Sequence, residues 1–301
     1  MSDEVELHFD PEKKHEHHHS RPKRSVVKPI VYGFMSFMLA FVLFLLTVCM
    51  VIRLTLFSSD FMIGSMASCG YYSMVKDELK DGLTALGHAS GLPDSFCAEF
   101  VETIDFRQVE MNYIVSFYSG SSTLVDDTNF KQSFRAAIDK YIEDNNIDKS
   151  KTTESSLVNL VNKATDIYID NVSIPFFSIL ANYIYKLSGT LNVIMMVLVV
   201  IAVIIGLLIY FTNEYKHRRH RYLCYAFITS AITAAIIPTI VYVSGIVAKV
   251  NLGTRSIYNL FVTYFSSMFR YFYYFAGIYL FLAIITFVFF RIAYGKTAKH
   301  H

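Results

Sequence analysis

Four stretches of this chain, residues 29–52, 187–211, 222–248 and 271–290, contain no Asp, Glu, Lys, Arg or His. About 20 apolar residues at a helical rise of 1.5 Å cross the roughly 30 Å hydrocarbon layer of a bilayer, and each stretch reaches that length. A lipid-facing backbone must satisfy its own hydrogen bonds, so runs of this kind fold as helices. Charged residues make up only 17% of the sequence, against about 25% in soluble domains. An ordinary soluble enzyme is excluded, as is a disordered chain, since the apolar fraction is 53%. Four cysteines are too few for a disulfide scaffold. The first run exceeds the apolar core of a signal peptide, and Cys49-Met50-Val51-Ile52-Arg53 offers no small-x-small cleavage site. It is expected to stay as an anchor.

Charges near span ends set the orientation, because Lys and Arg in short flanks remain cytoplasmic. Arg21, Lys23, Arg24 and Lys28 precede the first run; Lys216, Arg218, Arg219 and Arg221 lie between the second and third; Arg291, Lys296 and Lys299 follow the fourth. Residues 54–186 carry 10 basic and 18 acidic side chains, net −8. That asymmetry puts both termini inside and the large segment outside, with Lys249, Arg255 and Arg270 in the second outer loop as the opposing charges. No acidic residue follows Glu214, so the last 87 residues have no acidic side chain to pair with, which reads as simple positive-inside bias or as contact with lipid headgroups or an acidic partner.

The expected fold is an all-α integral membrane protein, four transmembrane helices with an α-helical extracytoplasmic domain inserted between helices 1 and 2. Its segments are a disordered cytoplasmic tail (1–28), transmembrane 1 (29–52), the outer helical domain (53–186), transmembrane 2 (187–211) and a cytoplasmic loop (212–221). Transmembrane 3 (222–248), an outer loop (249–270), transmembrane 4 (271–290) and a cytoplasmic tail (291–301) complete it. Within the outer domain, Phe130, Phe134, Ala137, Ile138, Tyr141 and Ile142 repeat at helical spacing after the capping types Asp127 and Thr128. Leu157, Leu160, Ala164 and Ile167 form a second stripe, and Val109, Tyr113 and Phe117 a shorter one. Gly91-Leu92-Pro93-Asp94-Ser95 reads as a stop and restart. Four or five helices are expected, the first continuing outward from transmembrane 1, the last feeding transmembrane 2 with a kink at Pro175.

Cys69 and Cys97 both fall in the outer segment, where a bridge is chemically permitted. An unbroken helix ending near Gly91 would hold Cys69 roughly 30 Å from the turn, whereas bridged Cα atoms lie under about 7 Å apart. A disulfide therefore requires a break near Gly70; otherwise the two are buried thiols.

His15-Glu16-His17-His18-His19 matches the zinc-protease pattern H-E-x-x-H, but sits in a polar tail without an apolar face or a third ligand. It reads as a solvated tail. No ionisable residue stands inside a span, which removes the usual machinery of intramembrane hydrolases and ion-coupled transporters. In the third run Ala226, Ser230 and Ala234 recur at four-residue spacing, a helix-packing face, with the lining of a polar path as the alternative. Tyr258, Phe261, Tyr264, Phe265 and Tyr271 to Phe275 read as an interfacial aromatic belt. No phosphate-binding glycine loop is present and no cofactor is expected; the basic segments are too short and too close to the spans for nucleic acid. Lys216, Arg218, Arg219 and Arg221 are the expected contacts for a cytoplasmic partner.

The order of span, large outer domain and three closely spaced spans resembles the permease subunits of cell-division and lipoprotein-release ABC transporters. That resemblance, of topology alone, implies mechanotransmission driven by a cytoplasmic ATPase. The polar tail and the loop of about ten residues at 212–221 depart from that family's amphipathic first helix and coupling segment. The functional expectation is a non-enzymatic multi-pass protein whose outer domain binds a protein or ligand, as sensor, adaptor or assembly subunit, in contact with the lipid bilayer and with a protein partner or as a homo-oligomer. The alternatives are the permease-like subunit and an oligomeric channel or lipid-handling protein.

Overall fold

The computed structural model describes residues 27–121, 125–147, 154–174, 177–213, 216–250 and 252–298. The His15–His19 cluster, Pro175, His300 and His301 lie outside the described residues. Those residues form ten α-helices, one short 3-10 turn and no strand: α1 (Val27–Thr55), α2 (Ser59–Ser68), α3 (Tyr71–Ser90), α4 (Asp94–Glu102), α5 (Phe106–Ser119), α6 (Thr128–Asp144), α7 (Glu154–Val172), α8 (Phe177–Thr212), α9 (Lys216–Ser244) and α10 (Arg255–Ala298). Helices α1, α8, α9 and α10 are long and apolar enough to cross a membrane.

The first long helix does not run on into the shorter ones. It ends at Thr55, and Ser58 restarts the chain by accepting the Phe61 amide at 3.2 Å. Another break falls at Gly70, and α3 then runs to Gly91, whose φ of +77° a residue with Cβ would adopt only under strain. There the Leu92 amide reaches back to the Gly87 carbonyl at 2.9 Å, closing a Schellman motif. Six helices, α2 to α7, lie between the first two long ones, more than the stripes in the sequence suggested.

These six share one core. Tyr71, Val75, Leu79 and Leu83 place a fully buried stripe along α3, and α4, α5 and α7 pack around it. Rings knit the outer elements: Phe130 on α6 stacks on Tyr168 of α7 with centroids 4.2 Å apart, and Phe134 meets Phe100 of α4 at 4.9 Å.

Among the long helices, α9 lies along α10, and α1 packs against both α8 and α9. Hydroxyls tie them where side chains approach closely. Ser36 donates to the Tyr222 carbonyl at 2.8 Å, and the Thr47 and Tyr279 hydroxyls lie 2.7 Å apart. Much of α8 is apolar and exposed, with Val193, Met196 and Phe211 uncovered. The last helix differs from the sequence reading, because it starts at Arg255, about four turns before the uncharged run at Tyr271. Its first turns bury Ile257, Leu260 and Tyr264, and the latter two join the core of the short helices; this packing makes the stretch helix and not loop. At 44 residues α10 is about 66 Å long, roughly twice the hydrocarbon layer.

Candidate functional site

The junction between the short helices and α10 is where the chain's parts meet. The first turn of α10 carries no acidic residue to meet its positive dipole end; the preceding Thr254 hydroxyl accepts the Ile257 amide at 3.4 Å, and the Ser256 amide is left for a partner from elsewhere. Glu78 of α3 supplies one: one carboxylate oxygen accepts the Ser256 amide at 2.9 Å and the other accepts the Ser256 hydroxyl at 2.6 Å. One turn on, the Asn259 amide nitrogen lies 3.1 Å from the Met74 sulfur. Phe61 of α2 then sets its edge against Tyr264 and Tyr271, with centroids 5.1 and 5.7 Å away.

Beside this seat is a cavity of about 250 Å³ lined by Leu56, Met62, Tyr118, Ile184, Leu260 and Tyr264 among others. The Tyr118 hydroxyl is already engaged, donating to the Leu56 carbonyl at 3.2 Å. The lining holds no carboxylate, amine, imidazole or thiol, so the space suits an apolar group.

One ionisable group lies deep in the helical core. Glu110 on α5 is completely buried, and neither carboxylate oxygen meets a hydrogen-bond partner among the described residues. Burial pushes its carboxyl well above the ordinary carboxylate range. Tyr71, whose hydroxyl is also buried without a hydrogen-bond partner among the described residues, is raised by burial first and by Glu110 next. Tyr168 is pushed up to about 12 by burial, with Glu110 the next cause. Glu110 was absent from the residues singled out by sequence, yet the signal is there. It stands four residues after Phe106, three before Tyr113 and seven before Phe117, on the apolar stripe itself.

The expected site residues fall at separate places. All four cysteines are free thiols. The helix does break at Gly70, but Cys69 turns back so that its thiol faces the Met66 carbonyl at 3.5 Å, while Cys97, buried, lies 3.3 Å from the Leu83 carbonyl. The basic segment opens α9. Arg219 donates to the Asn213 carbonyl at 2.7 Å and lies over the Tyr210 ring; Arg221 lies over the ring of Tyr222. Arg218 is half-buried, and Lys216 is the first residue of the helix. Ala226, Ser230 and Ala234 are all fully buried, Ser230 donating to the Ala226 carbonyl at 2.9 Å and lying 3.4 Å from the Ala40 carbonyl of α1. Among the described residues no cluster of three His, Cys, Asp or Glu side chains could hold a metal ion.

The fold thus defines an all-helical chain with the make-up of a multi-pass membrane protein, built from four apolar helices and a helical unit docked on the last of them. No known family model, curated protein or solved structure matches it.

Proposed function

We propose that this is a non-enzymatic, multi-pass protein of the cell membrane, with both termini cytoplasmic and the helical domain of residues 53–186 outside. That domain binds a protein partner or ligand and serves as sensor, adaptor or assembly subunit. The observation that carries the reading is the seat of α3 on the first turn of α10 through Glu78 and Ser256. A partner that shifts α3 acts directly on a helix that runs on into the spans. The net charge of −8 over residues 54–186, against basic flanks elsewhere, supports the outside placement.

Sidedness is tested by a membrane-impermeant maleimide on intact cells. Asp144→Cys should label above the background of the native cysteines, and Gly295→Cys only after permeabilisation; the reverse order overturns the placement. Function is tested by cross-linking in the membrane, gentle-detergent purification and mass spectrometry. A partner cross-linked to residues 53–186 supports the reading. A cytoplasmic ATPase whose recovery is lost in Arg218→Glu plus Arg219→Glu favours the permease-like alternative instead.

A further inference from the structure

A second opening lies where α9 and α10 diverge, a cavity of about 380 Å³ whose lining runs from Pro238 to Tyr242 on α9, through Gly245 to Ala248 in the turn that follows it, and from Val262 to Tyr273 on α10. The twelve residues from Val262 to Tyr273 make it a cleft on the order of 15 Å long on the α10 side. Its walls are apolar at Pro238 and Val262, and four polar side chains line it: the Arg270 guanidinium and the hydroxyls of Ser266, Tyr242 and Tyr273. Tyr273 has its hydroxyl 3.0 Å from that of Thr239, which ties the inner end of the cleft together. Arg270 is exposed and has no carboxylate partner among the described residues, and neither have Lys249 and Arg255 at the same end of the helix pair. No partner is available from these helices, since the chain has no acidic residue after Glu214.

Depth fixes what this cation meets. The uncharged run of α10 begins at the next residue, Tyr271, and fills about 30 Å to Phe290. By the run on α10, Arg270 therefore stands at the edge of the hydrocarbon layer, the level of lipid phosphates, with Ser266 one turn to its outer side and Tyr273 one turn to its inner side. A guanidinium there recognises a phosphate through paired N–H donors, and phenols at this level supply further donors.

We propose that the α9–α10 cleft is a binding site for a phosphate-bearing membrane lipid. Its phosphate sits on Arg270, its glycerol and headgroup meet Ser266 and Tyr242, and its chains descend along the exposed outer faces of the two helices. This goes beyond the functional reading above and does not depend on it, because lipid phosphates are present in both leaflets.

The test is native mass spectrometry of the full chain in mild detergent with added phosphatidylglycerol, and in parallel with a galactosyl diacylglycerol of the same chains. The wild-type chain should retain phosphatidylglycerol at activation energies that strip the galactolipid. Retention should fall at least about tenfold in Arg270→Gln, about the 1.4 kcal/mol of one charge-assisted contact, be partly restored in Arg270→Lys, and stay unchanged in Arg255→Gln. Equal retention of the two lipids, or an unchanged Arg270→Gln chain, overturns the proposal. So does displacement of the lipid by millimolar inorganic phosphate, which would make the site one for a free anion. Arg270 is exposed and unpaired, so Arg270→Gln leaves the packed surfaces intact.

Discussion

Glu78 and Ser256 lie 178 residues apart in sequence and meet through two hydrogen bonds, the carboxylate of α3 closing the amide end of α10. The last 87 residues have no acidic side chain, so although Thr254 takes the Ile257 amide, the charged part of the cap comes from another element, and it fixes the helical domain to α10. Losing an N-cap costs about 1 kcal/mol and losing a charge at a helix N-terminus about 0.3–1 kcal/mol. Glu78→Ala is therefore expected to raise opening of the first turn of α10 roughly tenfold. Hydrogen exchange at Ser256 to Tyr258 in the detergent-solubilised chain measures this, and unchanged protection would mean that the apolar contacts alone hold the seat.

Glu110 gives the protein a pH-dependent stability of unusual sign for a carboxylate. Its folded carboxyl holds its proton well above the ordinary value of 4.5, so unfolding releases a proton over that range. Stability is then greatest below about pH 4.5 and falls as pH rises toward the folded value, by at most about 1.4 kcal/mol per pH unit. Glu110→Gln keeps the shape and removes the titration. Thermal unfolding of the two chains should coincide at pH 4 and diverge by pH 7, with the variant the more stable. Parallel curves across that range would show that Glu110 ionises freely in the fold.

Little of this was hidden in the four long helices, because an uncharged run of 20 or more residues states its own structure. What the sequence concealed came from contacts between distant segments. Residues 255–270 carry aromatic residues that suit an interfacial belt equally well, and only the core against Leu260 and Tyr264 makes them the first turns of α10. Glu110 occupies a stripe position that local spacing reveals, but charge argues for the surface, and tertiary packing overrode that preference. The Glu78–Ser256 cap has no local signal at all. Sequence separation likewise left the cysteines undecided until the break at Gly70 was seen to turn Cys69 toward Met66 and not toward Cys97.

The thiols should therefore be unequal and unbridged. Burial raises both Cys69 and Cys97, but Cys69 is half-exposed while Cys97 is covered, with Asp94 adding to its upward shift. Iodoacetamide at pH 8 is expected to modify Cys69 well before Cys97 in the folded chain. Intact masses with and without reductant should agree. A two-proton difference assigned by peptide mapping to these two residues would contradict the fold at Gly70.

Ala226, Ser230 and Ala234 permit a sharper choice between close packing and a polar path through the spans. All three are fully buried in α9, and the Ser230 hydroxyl is engaged by the Ala226 carbonyl of its own helix with Ala40 of α1 close by. If the face exists to let helices approach, size is what it cannot tolerate, and the hydroxyl adds little. Ser230→Ala should then cost well under about 1 kcal/mol, in line with hydrogen bonds between membrane helices that average about 0.6 kcal/mol. Ala226→Leu inserts three carbons where no space exists, and overpacking of that kind costs about 1–3 kcal/mol. Thermal denaturation in detergent should place Ala226→Leu well below wild type and Ser230→Ala beside it. The opposite ranking, with Ser230→Ala the damaging change, would mean that the hydroxyl does more than fill a small space.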